Sequence, residues 1–493
     1  MTIAKDAAKA AANDAAKDAA KGDATILHIG LGSFHRAHQA VYLDRLRGQG
    51  DMAWTIVAGN IRDDLPETMA ALIAQQGQYT LETVSPAGER QYRRIRAIRE
   101  VLAFDPSLAR MIEVGADAST RIISCTVTEA GYYLDDRNRL DASHADLRAD
   151  LETGSTRTLY GALAAILRQR LRQGGAPVTL LNCDNLRSNG TRLREGLLDF
   201  LARRGETDLR AWAETATRSP CNMVDRITPR PPAELAARVL AATGWADQAP
   251  VMGESFMQWV IEDDFIAGRP AWEQAGAEMV ADVHAHEEAK IRILNASHSC
   301  VAWAGTLLGL SFIHEDLAVP AIRQLAWDFI THGVMPCLDT PARPSPIKLA
   351  AYRDNVLERF GNPHVRDTNQ RVAMDGFSKL PGFIAPTLRE GLARGDAIDA
   401  SAMLPALFFH LLDRWHRDEL PFTYQDGVMD AALAHGYFSA ADPLQAFCQD
   451  AQLWGSLAGD ARLLGALRRA DARVQVFLAD AAAASPDRLI VKA

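Results

Sequence analysis

Residues 25–30 (TILHIG) form a short apolar run ending in glycine, and the segment that follows, LGSFHRAHQAVYLDRL, spaces its apolar residues as a helix does. A strand, a glycine turn and a helix therefore open the patterned part of the chain. Short β-branched or apolar runs recur at Thr55–Ala58, Arg121–Val127 and Val178–Leu181, with helical spacing over Leu65–Gln75 and Leu159–Leu171 between them. That alternation predicts a parallel, doubly wound α/β domain over residues 24–284. From about Ala281 the texture changes to long amphipathic segments, His286–Leu308, Val319–Gly333, Ala400–Trp415 and Asp442–Leu467, with few strand signals. Residues 285–493 are predicted to be a mostly helical domain, interrupted by surface loops such as Thr340–Pro346. Ahead of both, residues 1–23 alternate Ala with Lys and Asp and read as a solvated tail without the apolar core of a secretory signal.

Composition narrows the class. The 493 residues are 48% hydrophobic and 23% charged, which is ordinary for a soluble globule of two or three domains. A net charge of −9 and a pI near 5.8 argue against nucleic acid as a partner, because such binders carry basic stripes. No run reaches eighteen apolar residues, so no membrane span is expected and the cytoplasm is the default compartment. The six cysteines lie far apart without CxxC spacing and read as reduced, mostly buried thiols, with no metal site.

Four segments carry candidate chemistry. Gly30-Leu31-Gly32-Ser33-Phe34 is half of a dinucleotide fingerprint, one glycine permitting the tight turn and the other letting pyrophosphate approach the backbone. His35 stands where a third glycine is usual. After the next strand signal, Asp63 and Asp64 are candidates to accept hydrogen bonds from an adenosine ribose, favouring NAD over NADP, or equally either is a solvated helix N-cap, and neighbouring Arg62 leaves NADP open. The segment EEAKIRILNASHSCVAWAGTL reads as one helix on which Glu287, Lys290, Asn295 and His298 project within an arc of about 140° at about 100° per residue. A desolvated Lys290 amine would take a proton from an alcohol, Asn295 would donate to a developing alkoxide, and His298 would orient a hydroxyl. On spacing alone this is equally an amphipathic helix facing water. TLLNCDNLRSNG sets Asn182, Asp184, Asn185 and Asn189 at the carboxyl end of a strand, where Asn185 is a second oxyanion donor or simply part of an Asn-rich turn. Finally, Arg366, Arg371 and Lys379 surround an Asp-Gly turn as candidate contacts for hydroxyls or a carboxylate, or as solvated cations.

GLGSFHRAHQ, TVTEAGYY (Thr126–Tyr133), CDNLRSNG, MVDRITPRP (Met223–Pro231) and KIRILNASH together resemble the polyol-specific long-chain dehydrogenases, the mannitol dehydrogenase family, from about Ile26 to the C-terminus. The resemblance implies a Rossmann-type N-terminal domain, a helical C-terminal domain and metal-independent hydride transfer between substrate and nicotinamide in a cleft. It implies Lys290 as general base, Asn185 and Asn295 as the alkoxide-stabilising pair, and His298 as a substrate-orienting residue. It further implies that Glu287 gates proton release and that Arg371 and Lys379 contact substrate hydroxyls. Gly30, Gly32 and Phe34 match a shortened cofactor fingerprint, and Asp63 and Asp64 match an acidic pair that prefers NAD. Within the family, HIGLGSFHRAHQ, AGNIRDD, LETVSPAGER, DTNQRVAMDGFSKLP and LPFTYQDG most resemble members acting on D-arabinitol, implying oxidation to D-xylulose by a cytoplasmic monomer. D-Mannitol to D-fructose, a hexuronate such as fructuronate, and a non-catalytic dinucleotide-binding sensor are the alternatives.

Overall fold

The computed structural model describes residues 24–135 and 139–484, so the tail expected over residues 1–23 lies outside the described residues. Two compact units divide at His284 and Ala285, with Pro86–Gly88 grouping with the second.

In the first unit six strands form one sheet: β1 (Ala24–Ile29), β2 (Trp54–Gly59), β3 (Ile98–Val101), β4 (Thr120–Cys125), β5 (Val178–Asn182) and β6 (Thr217–Arg218). Their order across the sheet is β3-β2-β1-β4-β5-β6, and every neighbouring pair is parallel. Parallel strands covered on both faces need apolar residues at successive positions, which is why β1, β2, β4 and β5 are rich in them. Alternate residues serve the two faces. Ile26, Ile56 and Ile122 enter one core, while Leu27, Val57 and Ile123 enter the other. The chain builds outward from β1 to β3 and then returns to place β4 on the other side of β1. That reversal opens a crevice at the carboxyl ends of β1 and β4, the place where doubly wound sheets take ligands.

Two departures from the sequence reading occur here. The predicted helix after β1 is two pieces, Ser33–Ala37 and Gln39–Gly48, broken at His38, whose Nε2 lies 2.8 Å from the Gln258 carbonyl. Two further three-stranded sheets, Val251–Glu254 with Tyr79–Val84 and Arg90–Ile95, and Glu278–Val280 with Gln258–Glu262 and Asn222–Asp225, gave little pattern. Their strands are three to six residues long, and Arg90–Ile95 (RQYRRI) is largely exposed.

Every named element of the second unit is helical, around a core that includes Trp303, Phe329, Phe377 and Phe408. The predicted His286–Leu308 segment is a continuous rod, α-helical over His284–Ala289, π-wound over Lys290–Asn295 and α-helical again over Ala296–Leu307. The segment expected over Asp442–Leu467 is instead split into Pro443–Cys448, Ala451–Trp454 and a helix starting at Ala461. Asp442 and Asp450 cap new starts with their carboxylates, and Gly455 and Gly459 adopt positive φ. Among the described residues no helix is long and apolar enough to cross a membrane, and all six cysteines are free and buried.

Asp316 sits in this core. A Cβ at Gly305 would come within 2.0 Å of its Oδ1, so only glycine lets the Ala296–Leu307 helix pass. Burial pushes the Asp316 carboxyl up to about 8, against the lowering effect of the Asn369 amide, which donates to Oδ1 at 3.0 Å. Between the unfolded value of about 3.9 and that folded value, the native state holds a proton that the unfolded chain has lost. Stability should therefore fall as pH rises from about 4 to about 8, the unfolded state binding fewer protons throughout that window. Thermal denaturation across it should show a shallower decline for Asp316→Asn than for the parent chain.

Candidate functional site

Each unit presents a cluster of candidate side chains. In the first, Gly30 follows β1 with φ of +99°, and a Cβ there would stand 2.3 Å from the Thr126 carbonyl at the end of β4. The Gly30 N–H donates to Gly59 at 2.9 Å, and the Gly30 carbonyl accepts from the Thr126 hydroxyl at 2.7 Å and lies 3.1 Å from His28 Nε2. Leu31 N–H donates to the Asn60 side chain at 2.7 Å, fastening the end of β2 to the same turn. A Cβ at Gly32 would meet nothing nearer than the Gly30 carbonyl at 4.0 Å, so this position is open to a ligand. A cavity of about 470 Å³ begins at this turn and is lined by Gly30, Gly32, Arg62, Asp64, Thr126 and Tyr133, among others.

His35, in place of the third glycine, is fully buried and stacked on His28, with ring centroids 3.4 Å apart and planes 15° from parallel. Burial drives the His28 ring down to about 3 and holds His35 well below the usual histidine value, so two neutral rings lie flat on one another. A flat uncharged ring thus fills the space where the usual glycine allows close helix–strand packing. Phe34 stacks on His38 at 5.0 Å, half-buried against the core, and is not among the cavity-lining residues. Of the acidic pair, Asp64 lines the cavity, whereas Asp63 is exposed and does not.

The Asn-rich segment after β5 divides by role. Asn182 donates to the Tyr132 hydroxyl at 2.6 Å and the Asn189 carbonyl at 2.8 Å, and Asn189 donates to the Asn222 carbonyl at 2.8 Å. The buried Asp184 carboxylate accepts from Val127 N–H at 2.8 Å and from the Tyr132 hydroxyl. Those three polar residues knit the loop together, and Asn185 stands exposed on it.

In the second unit Lys290 and Glu287 are buried, at 7% and 5% exposure, on the rod whose π-wound stretch Lys290 begins. A π turn spans one residue more than an α turn and is frequent at functional sites. It changes the phase of Asn295 and His298 relative to Glu287, so the arc drawn for a uniform α-helix does not carry over. Arg292 locks the rod, donating to Glu288 at 2.6 Å and to both oxygens of Glu390 at 2.9 and 2.7 Å. His298 stacks on Phe360 at 4.5 Å, and its Nε2 lies 3.5 Å from Asp367. Burial pulls this ring down to about 4 despite Asp367, leaving it neutral at neutral pH. Asp367 itself is held low, its burial outweighed by Arg371 and His298. Arg371 grips that carboxylate through Nε at 2.7 Å and through Nη2, and the Lys379 ammonium donates to the Val372 carbonyl at 2.8 Å. Trp303 donates to the Ala373 carbonyl at 3.1 Å, tying the rod to the Asn369–Ala373 helix that carries Arg371. His298, Arg371 and Lys379 thus belong to one cluster. Sequence reading missed its hub, Asp367, whose only local signal is the i,i+4 spacing to Arg371.

The first cluster fits a dinucleotide: an obligatory glycine turn, an open Gly32 for pyrophosphate, and a carboxylate beyond β2 for a ribose. The second offers a buried amine, an amide and a neutral imidazole on one rod, the groups that proton transfer from an alcohol requires. The family models for the mannitol dehydrogenase Rossmann domain and C-terminal domain match residues 24–274 and 282–474. The chain belongs to the mannitol dehydrogenase family of oxidoreductases. It is 60% identical over 457 residues to D-arabinitol 4-dehydrogenase of Ralstonia nicotianae, covering 92% of this chain and 97% of that protein. Identity to the Klebsiella pneumoniae enzyme of the same name is 51%, covering 92% of this chain and 99% of that one. Among solved structures it matches Pseudomonas fluorescens mannitol 2-dehydrogenase, in a ternary complex with NAD and D-mannitol, with a TM-score of 0.80 at 31% identity and 94% coverage of both chains.

Gly30→Ala forces a methyl group against the Thr126 carbonyl in a left-handed backbone. Strain of this kind costs about 1–3 kcal/mol. We expect a lower melting temperature and at least tenfold weaker NADH binding in a fluorescence titration.

Proposed function

We propose that this chain oxidises the C4 alcohol of D-arabinitol to D-xylulose with NAD, with Lys290 as the general base. The observation that carries the reading is the burial of Lys290 on the same rod as Asn295 and a neutral His298. Two relatives at 60% and 51% identity bear the name D-arabinitol 4-dehydrogenase, which supports the substrate. Asp64 in the cavity supports NAD over NADP, because a carboxylate accepts from a ribose hydroxyl and repels a phosphate. When bound, NAD supplies the acceptor for the hydride that leaves C4.

The protein's part is the other half of the oxidation. The Lys290 amine takes the hydroxyl proton, and Asn185 and Asn295 donate to the oxygen as negative charge grows on it. His298, neutral, exchanges hydrogen bonds with a substrate hydroxyl and fixes its direction. Arg371 and Lys379 donate to other hydroxyls of the polyol, Arg371 from a guanidinium already anchored by Asp367. Glu287 relays the proton from Lys290 to water.

Purified protein treated with a chelator should reduce NAD fastest with D-arabinitol in a panel that also holds D-mannitol, D-sorbitol, ribitol and, in the reverse direction with NADH, fructuronate. A preference for D-mannitol would change the substrate and keep the proton chemistry, and silence with all of them would overturn the reading. Lys290→Ala should lower kcat by about 10²–10⁴-fold while NADH still binds.

A further inference from the structure

The loop after β2 holds Arg62 two residues before Asp64, in the part of a doubly wound domain where an arginine accommodates a 2′-phosphate. In this chain that guanidinium is already engaged. Its Nη2 donates to the Tyr133 hydroxyl at 2.6 Å and to Asp146 Oδ2 at 3.1 Å, and all three residues line the cavity that starts at Gly30. Arg157 approaches the other Asp146 oxygen at 3.8 Å.

Tyr133 belongs to an apolar core and Asp146 to the first turn of a helix, and each presents its polar end to Arg62. The Arg62–Asp146 pair is about half exposed, with side chains 52% and 41% accessible, and pairs of that kind add little stability. Tyr133 adopts φ of +49° and ψ of +44°, a left-handed conformation that a bulky residue occupies only under local constraint. That backbone places its ring edge-on to His144 at 5.4 Å and its hydroxyl on Arg62. Asp146 lies in the first turn of the Ala145–Thr153 helix, far in sequence from the β2 loop. Two separate segments thus converge on one arginine and, among the described residues, leave Asp64 and Asp146 as the anionic groups lining the cavity there.

We propose that Asp146, with Tyr133, determines cofactor selectivity by holding Arg62 in an ion pair that denies it to a 2′-phosphate. A dianionic phosphate needs an uncommitted guanidinium, and here it would have to displace a carboxylate of like charge. Asp64 repels the phosphate directly, and Asp146 engages Arg62, the lining cation that adjoins Asp64 in the chain, more closely than it does Arg157. The inference rests on the dinucleotide-dependent reading above.

The test compares kcat and KM for NAD and NADP in the parent chain, Asp146→Ala, Tyr133→Phe and the double variant Arg62→Ala/Asp146→Ala. Asp146→Ala should raise the ratio of kcat/KM for NADP to that for NAD at least tenfold, through a lower KM for NADP. Tyr133→Phe should raise the ratio less. The double variant should return it to the parental level, a dependence on Arg62 that general loosening of the loop would not produce. An unchanged ratio in Asp146→Ala, or a gain that survives loss of Arg62, would overturn the proposal while leaving NAD-dependent oxidation standing. A parent chain that reduces neither nucleotide would overturn both.

Discussion

The rod from His284 to Leu307 has almost no solvent-facing side, and burial of its polar groups is the constraint around which the second unit is organised. A buried polar atom must find a partner or stay uncharged. Arg292 is gripped by Glu288 and Glu390, while the hydroxyls of Ser297, Ser299 and Thr306 bond back to carbonyls of the preceding turn. Such back-bonding bends and loosens helices. Here the Ser297 hydroxyl bonds to the Ile293 carbonyl, within the π-wound stretch. His298 meets the same demand differently, by remaining neutral on Phe360 beside Asp367. Lys290 is buried on this same rod, the placement from which its role as base is proposed.

In the first unit the corresponding constraint is the reversal of strand order between β1 and β4. Gly30 has to turn where the Thr126 carbonyl leaves no room for a side chain, and Asn60 brings the end of β2 to the same point. The cavity follows from that geometry, and its lining sets the sign of charge a cofactor meets. Neutral, stacked His28 and His35 support the turn from below, a solution that costs no charge in the core.

The sheet strands were legible because parallel strands buried on both faces must be apolar throughout, and β1, β2, β4 and β5 were visible as such runs. Arg90–Ile95 was not, since a largely exposed strand with three arginines carries no core signal. The break at His38 depends on a carbonyl more than two hundred residues away, Gln258, which no local pattern can announce. At the sites, the glycine turn and the Lys290 rod stand out because polar residues among apolar neighbours break a simple pattern. Asp367, Tyr133 and Asp146 are different: Asp367 meets His298 and the other two meet Arg62 from distant parts of the chain, so only the folded chain brings them forward.

Proton transfer from the substrate to the Lys290 amine is the step on which the proposed oxidation turns. Chemical rescue measures it directly: small primary amines such as methylamine are added to the Lys290→Ala variant while NADH formation is followed with saturating polyol. Turnover should rise with the concentration of free amine base and with amine basicity. Parent-like turnover in the variant without amine, or a deep loss that no amine relieves while cofactor and polyol still bind, would contradict it.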